Sequence, residues 1–139
     1  MVKKIKFANL IIITTIFISC TSSKTEYSIS ISSLKESDKP YPIVILTNKN
    51  IGTVKFPQQF YKINQRDLER IKKQCSINKK GKERLLVIEI KYNDKIEKYF
   101  FNRQESICNL NKIQTITSHY NNEDLKSSIS FLEKVINVP

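Results

Sequence analysis

The chain has 139 residues, enough for one domain, and 40% of them are hydrophobic while 27% are charged. That balance excludes an intrinsically disordered polymer and predicts a folded globular protein. The formal net charge of +11 predicts solubility and attraction to anionic surfaces, whatever the fold.

The amino-terminal segment has the pattern of an export signal. Lys3, Lys4 and Lys6 lie in the first six residues, and the thirteen residues from 7 to 19 carry no charge and are rich in Ile. A basic start followed by an apolar stretch of this length is typical of a secretory signal peptide. A retained membrane span needs about 20 apolar residues, so we expect this segment to be removed after export.

The end of that segment, Phe17-Ile18-Ser19-Cys20, resembles the lipobox of bacterial lipoproteins, with Phe17 in the place usually taken by Leu. The resemblance implies cleavage between Ser19 and Cys20, diacylglycerol on the Cys20 sulfur and a further acyl chain on the new amino terminus. Two or more acyl chains anchor a protein durably, whereas one chain holds it only marginally. The alternative is an ordinary signal peptide, although its peptidase prefers an Ala-x-Ala-like site that this stretch lacks.

The lipobox resemblance also implies where the protein lies and what it meets. It implies a cell-envelope protein held to a membrane through lipid and facing the periplasm or the surface. The outer membrane is preferred, because Thr21 does not carry the acidic retention signal of some inner-membrane lipoproteins. An exported protein meets little nucleic acid, so the basic charge is expected to attract an envelope protein or an anionic polymer instead.

Residues 20–40 are expected to form a tether after the signal peptide of residues 1–19, and residues 41–139 to form the domain. Within the tether, Tyr27, Ile29 and Ile31 alternate with serines, a pattern that also fits a first strand. The apolar run Ile43–Leu46 predicts a buried strand, with residues 51–56 returning as its partner and Pro57 ending the ladder.

Two capped helices and a hairpin follow. Asn64, three residues before Asp67, resembles an N-cap, and the helix that it starts should place Leu68, Ile71 and Cys75 on one face. Residues 84–101 predict a hairpin turning at Asn93-Asp94, which sets Glu89 opposite Lys98 and Tyr92 opposite Lys95. Asn102 with Glu105 resembles a second capped helix start.

The rest of the chain is less uniform. Residues 112–120 fit either a strand or a loop, and a final helix is expected to begin near Asn121 or Asn122. Its apolar positions, Leu125, Ile129, Leu132 and Ile136, share one face, so it should pack on a sheet. The fold class is therefore α+β: a single small domain with a mostly antiparallel sheet packed by amphipathic helices.

The cysteines that remain after Cys20 are Cys75 and Cys108. In an exported protein we expect a disulfide between them, which would stabilise the fold by roughly 4 kcal/mol in the chain-entropy model. The alternative is a pair of buried free thiols.

The stretch from residue 66 to residue 84 is strongly basic. Its patch residues are Arg66, Arg70, Lys72, Lys73, Lys79, Lys80, Lys82 and Arg84. They fit either a surface for anionic lipid or an acidic partner, or simply a solvated helix face and loop.

No catalytic or metal-binding constellation stands out. His119 is the one histidine, nothing in the sequence clusters with it, and no cofactor motif is present. We therefore expect a non-enzymatic binding or inhibitory module. The alternative is an envelope hydrolase that uses a pair of carboxylates.

Overall fold

The computed structural model describes residues 26–35, 41–75 and 84–139. The strands are β1 (Tyr27–Ser33), β2 (Ile43–Thr47), β3 (Gln58–Lys62), β4 (Leu86–Tyr92) and β5 (Lys95–Phe101). The helices are α1 (Gln65–Cys75), α2 (Arg103–Thr117) and α3 (Glu123–Asn137), with a 3-10 turn (Ser118–Tyr120) between the last two. Residues 1–19, predicted to form a signal peptide, and the predicted lipidation site Cys20 lie outside the described residues. Among the described residues no helix is long and apolar enough to span a bilayer.

The strands form one sheet in the order β3-β2-β1-β4-β5. Every neighbouring pair is antiparallel except β2 with β3. The prediction of an α+β domain with a mostly antiparallel sheet is confirmed. The first strand is present as well, and it lies at the centre of the sheet. The folded domain therefore includes Tyr27–Ser33, which the sequence division had placed in the tether.

The core lies between the sheet and the helices. Alternate residues of β1, β2 and β4 are almost fully buried, including Ile29, Leu46 and Ile88 at 0% exposure. Leu68, Ile71 and Cys75 are buried from α1, as the helix periodicity predicted. The predicted face of α3 is buried too: Leu125, Ile129, Leu132 and Ile136. Burying one face of each element against another is what gives this sequence a single core.

The hairpin of β4 and β5 has the predicted register. Glu89 pairs with Lys98 and Tyr92 with Lys95, and Asn93 adopts a φ of 53° in the turn. Asparagine tolerates this left-handed conformation better than most residues, which suits it to a two-residue turn. The Lys98 ammonium lies 3.4 Å from the Glu89 carboxylate across the strands.

The partner of β2 differs from the prediction. Residues 51–55 form no strand; the strand begins after Pro57 and runs parallel to β2. Parallel pairing requires the chain to cross back before it pairs, which residues 48–57 do. The hydrophobic residues of the crossover, Ile51, Val54 and Phe56, are exposed at 41%, 43% and 67%.

The helices start at the predicted caps and one runs further than expected. The Asn64 and Asn122 side chains accept hydrogen bonds from the third helical N–H groups of α1 and α3, and Asn102 with Glu105 forms a complete capping box. Residues 112–117, interpreted as strand or loop, continue α2. Ile113, Ile116 and Thr117 are buried on one face of that helix, so packing overrides the weak helix propensity of their branched side chains.

Candidate binding surface

One face of the sheet carries no described helix. Alternate side chains of β1 and β2 point to the helices and are fully buried, namely Ile29, Ile31, Val44 and Leu46. The residues between them point the other way and are mostly exposed or half-buried. We call this second side the open face.

Strand register arranges the open face in three rows across the sheet. The first row is Lys62, Thr47, Ser28, Lys91 and Ile96; the second is Phe60, Ile45, Ser30, Glu89 and Lys98; the third is Gln58, Ile43, Ser32, Val87 and Phe100. The central strand contributes a serine to every row. Longer side chains flank these serines on both sides, so the surface is lowest along β1.

A groove of about 470 Å³ lies over this low centre, and Ser28, Ser30, Ile45, Phe60 and Lys91 are among its lining residues. Its volume is within the range of about 300–1,000 Å³ that ligand pockets span. Within the described residues, the hydroxyls of Ser28, Ser30 and Ser32 make no hydrogen bond to protein groups, so they are free to bind a ligand. The lining is mostly polar or charged, with Ile45 and Phe60 as apolar contacts on one side, and a mixed groove along a strand suits recognition of an extended chain.

The charges around the groove are partly paired. Lys49 forms an ion pair with Glu26 at one end, and Lys98 pairs with Glu89 across the hairpin. The hydrogen bond and the charge of Lys49 lower the pKa of the Glu26 carboxyl, so this group stays ionised. Lys62 donates a hydrogen bond to the side chain of Asn50 at 2.9 Å and lies beside the groove.

Arg84 belongs to this face as well. Its guanidinium carbon lies 4.7 Å from the centre of the Phe100 ring, a cation–π contact at the far corner of the sheet. Arg66, Arg70 and Lys73 instead lie exposed on α1, on the helix side of the sheet. The predicted basic patch is therefore divided between two sides of the molecule, while Lys79, Lys80 and Lys82 lie outside the described residues.

Arg70 and Lys72 of the basic patch on α1 contact acidic or aromatic side chains of the protein. The Arg70 guanidinium lies 3.3 Å from the Asp67 carboxylate, and the Lys72 ammonium lies 5.6 Å from the centre of the Tyr92 ring. These contacts hold both cations against the protein and leave them less available to a ligand.

The predicted disulfide is absent. Cys75 and Cys108 are both free thiols; the first is buried at 1% exposure and the second is exposed. Cys75 lies in the core on α1, whereas Cys108 is on the exposed side of α2. Burial raises the pKa of the Cys75 thiol to about 12, so it is unreactive at neutral pH.

A polar cluster that the sequence did not predict joins the start of α1 to the 3-10 turn. The buried Asp67 carboxylate accepts a hydrogen bond from the Tyr120 hydroxyl at 2.8 Å and lies 3.1 Å from Nε2 of His119. The other ring nitrogen of His119 lies 3.0 Å from the Ile116 carbonyl. A neutral imidazole carries one N–H and donates to one of these oxygens, whereas an imidazolium donates to both.

The same cluster also supplies a hydrogen-bond acceptor at the start of α1. The Tyr120 hydroxyl accepts from the Asn64 backbone N–H at 2.8 Å, and burial together with the hydrogen bond to Asp67 raises the pKa of Tyr120. His119 is exposed, and its contact with Asp67 could not be read from the sequence because residues 64–67 and 116–120 are distant in it. Among the described residues no group of three potential ligands could hold a metal ion, so this cluster is a structural link between helices.

The groove also contains two carboxylates, Glu26 and Glu89. Glu89 lies opposite Ser30, four positions along β1 from Glu26, which corresponds to about 13 Å between their backbones. Catalytic carboxyl pairs of glycoside hydrolases are about 5–9.5 Å apart, and one member has a raised pKa. Each carboxylate here faces a lysine, and the pKa of Glu26 is lowered, so the arrangement favours binding over acid–base chemistry.

Comparison with known proteins gives no family. No protein-family model matches the chain, and neither does any curated protein or any solved structure. The functional assignment therefore depends on the groove and its charges.

Proposed function

We propose that this chain is a lipid-anchored lipoprotein of the bacterial cell envelope, and that it acts as a non-enzymatic binding or inhibitory module. The segment Phe17–Cys20 supports the anchor through its resemblance to a lipobox. An outer-membrane location is preferred because Thr21 lacks an acidic retention signal. The open face is the surface through which the module holds its partner.

The groove along β1 is the observation that carries this proposal. Most α+β domains of this size cover one face of their sheet with helices and fill the other with polar residues. Here the uncovered face has Ile43, Ile45, Phe60 and Val87 beside the central serines, all of them half-buried. Covering these apolar side chains with a partner removes them from water and is favourable.

The charges indicate an acidic partner. The lining of the groove has two cations, Lys49 and Lys91, and two acids, Glu26 and Glu89. The surplus comes from its margins, where the strand register and a cation–π contact place Lys62, Lys98 and Arg84. A surplus of one sign speeds the approach of a partner of the opposite sign and repels a second copy of the same face. We infer that the occupant is an extended acidic segment of another envelope protein, lying along β1.

The test compares three forms of the lipidated, tagged protein purified from bacterial membranes after cross-linking in the cell. Ser30→Tyr fills the floor of the groove, and Ser127→Tyr places the same side chain on the exposed surface of α3. We expect the unchanged protein and Ser127→Tyr to recover the same acidic envelope protein, and Ser30→Tyr to recover at least tenfold less. Far-ultraviolet circular dichroism checks that both variants fold.

Three results would contradict the proposal in whole or in part. Equal recovery by all three forms would show that the groove is not the binding site. Mass spectrometry of the mature terminus provides the second check, because an unmodified Met1 or an unacylated Cys20 would remove the lipid anchor. If no protein is recovered and the purified protein binds an anionic wall polymer most tightly, then that polymer, rather than an acidic segment, occupies the groove.

A further inference from the structure

We infer that the domain has a second binding site, a cleft beside the edge strand β3, and that its ligand is a neutral sugar. The cleft has a volume of about 460 Å³, and Val54, Gln59, Phe60, Asp124 and Ser127 are among its lining residues. Of the described residues that line it, only Phe60 also lines the groove over β1. The cleft therefore takes a ligand of its own, and this inference depends neither on the lipid anchor nor on the occupant of the groove.

The floor of the cleft is a hydrogen-bonded group of three side chains. The hydroxyls of Tyr61 and Ser128 both donate to the carboxamide oxygen of Gln59, and they lie 3.0 Å from each other. Tyr61 and Ser128 are only 8% and 9% exposed, so the packing around them holds both hydroxyls in place. One end of the Gln59 amide is thereby fixed before any ligand arrives, which lowers the entropic cost of binding.

The other end of this amide is open to a ligand. Within the described part of the chain the Gln59 nitrogen donates to no protein group, and it is not among the polar atoms that are buried without a partner. An amide nitrogen carries two N–H donors. If the amide is turned over, its oxygen takes the place of the nitrogen, and one polar end still faces solvent.

Two more polar groups line the cleft from α3. Asp124 and Ser127 are exposed and lie three residues apart, so they share one face of the helix. The Asp124 carboxylate forms no ion pair with a described residue and can accept hydrogen bonds, whereas the Ser127 hydroxyl can donate and accept. Val54 and the Phe60 ring provide apolar contacts. The cleft thus combines donors, acceptors and an aromatic ring in one small space.

This combination suits a neutral ligand better than an ion. None of the described lining residues is a cation, and the Asp124 carboxylate repels an anion. A cation would meet only this one carboxylate, which lies in the first turn of α3, where the helix dipole already stabilises negative charge. Among the described residues no group of side chains could hold a metal ion. A purely apolar ligand would leave the polar groups without hydrogen bonds, which costs free energy.

A sugar meets each of these conditions. Its hydroxyls donate and accept, so neighbouring hydroxyls can accept from the Gln59 N–H and donate to the Asp124 carboxylate. The C–H groups on the face of the ring can pack against Phe60 and leave water. A peptide backbone has only one donor and one acceptor per residue. A sugar ring has hydroxyls on adjacent carbon atoms, which better matches polar groups placed around one aromatic ring.

Nuclear magnetic resonance of the full-length protein tests the site. The isotope-labelled product is purified from bacteria in a detergent without a sugar headgroup, and the side-chain amide signal of Gln59 is assigned by its loss in Gln59→Glu. Methyl glycosides of glucose, galactose, mannose and N-acetylglucosamine are titrated separately. We expect at least one of them to bind with a Kd in the millimolar range and to shift the Gln59 signal.

Two pairs of variants locate the binding. Asp124→Ala should weaken binding of that glycoside at least fivefold. Glu123→Ala, which removes the same charge from the same helical turn but lies outside the cleft lining, should not. Ser127→Tyr, which fills the cleft, should abolish binding, and Ser30→Tyr, which fills the groove, should leave it unchanged. The same spectra show whether each variant is folded.

An unshifted Gln59 signal with every glycoside would overturn the inference, and so would equal effects of Asp124→Ala and Glu123→Ala. N-acetyl-lysine methylamide, which carries a peptide backbone and a cation, is the competing probe. Tighter binding of this compound than of every glycoside would assign the cleft to a peptide and overturn the sugar. Recovery of the acidic envelope protein tests the groove separately, because Ser30→Tyr should reduce it and Ser127→Tyr should not, the reverse of their effects on the glycoside.

Discussion

The hydrogen bond from Tyr120 to Asp67 should contribute measurably to the stability of the domain. Tyr120→Phe removes the hydroxyl and leaves the ring in place. A hydrogen bond to a charged group contributes about 1.5–3 kcal/mol, and partial exposure of Tyr120 places this one near the lower limit. The Asn64 N–H, which also loses its acceptor, is at an exposed position where water can replace the hydroxyl.

We therefore expect Tyr120→Phe to lower the free energy of unfolding by about 1.5–2 kcal/mol, equivalent to a fall of about 8 °C in Tm for a domain of this size. Urea denaturation at pH 7, followed by far-ultraviolet circular dichroism, gives the free energy directly. Tyr41→Phe is the matched control, because within the described residues the Tyr41 hydroxyl makes no hydrogen bond; it should change stability by less than about 0.5 kcal/mol.

A double-mutant cycle with Asp67→Asn isolates the pair. The asparagine carbonyl still accepts a hydrogen bond but carries no charge, so its interaction with Tyr120 should be weaker. The losses in unfolding free energy of the two single variants should therefore sum to more than the loss in the double variant. If Tyr120→Phe costs no more than Tyr41→Phe, or if the cycle gives no coupling, the reasoning about this cluster is refuted.

Three further predictions follow from the same structure. In native protein a thiol reagent should label Cys108 quickly and Cys75 only after unfolding, because burial raises the Cys75 pKa to about 12. Reversing the charge of either Glu89 or Lys98 alone should lower the free energy of unfolding by less than about 1 kcal/mol. Exchanging both charges should restore most of that loss. Tyr27→Phe should leave stability unchanged or raise it at pH 7, because the buried hydroxyl has no hydrogen-bond partner among the described residues. Burial raises the pKa of Tyr27 from 10.0 to about 12, so between these values the unfolded chain ionises this hydroxyl while the folded chain keeps it protonated. Stability is therefore unaffected by this group below pH 10 and falls as pH rises to 12, and Tyr27→Phe should reduce that alkaline loss.

Each of these has a clear contrary result. Two cysteines that resist labelling until a reductant is added would establish the disulfide that the structure lacks. A charge-exchanged hairpin that is no more stable than the single reversals would mean that the ion pair between Glu89 and Lys98 does not stabilise the domain. An alkaline unfolding curve unchanged by Tyr27→Phe would assign the loss to other groups, such as Tyr99, whose hydrogen bond to Glu97 also raises its pKa to about 12.

Local patterns predicted the elements that depend on neighbouring residues. The Asn93-Asp94 turn fixes which residues of β4 and β5 face each other, and Asn102 with Glu105 contains both halves of a helix cap within four residues. Those signals are short-range, so a sequence alone carries them.

The failures involve contacts between distant segments. β3 reads Gln-Gln-Phe-Tyr-Lys, too polar for a buried strand, and it forms because it pairs with β2 at the edge of the sheet. Thr115, Ile116 and Thr117 favour a strand by themselves, yet their buried neighbours on α2 select a helix.

The groove was partly visible in the sequence. The alternation of Ser28, Ser30 and Ser32 with apolar residues indicated a two-faced strand with one face of small side chains. It did not reveal that β1 is central, nor that the described helices all pack on the other face, and those facts create the concave surface. The cluster around Asp67 was invisible for the same reason.

The central position of β1 has a consequence for any shortened form of the protein. A chain that begins at residue 41 would keep both halves of the sheet but lose the strand that joins them, because β2 and β4 meet only through β1. Each half would then present an unpaired strand edge, and such edges recruit other chains. Truncation at that point should therefore yield aggregates rather than a smaller soluble domain.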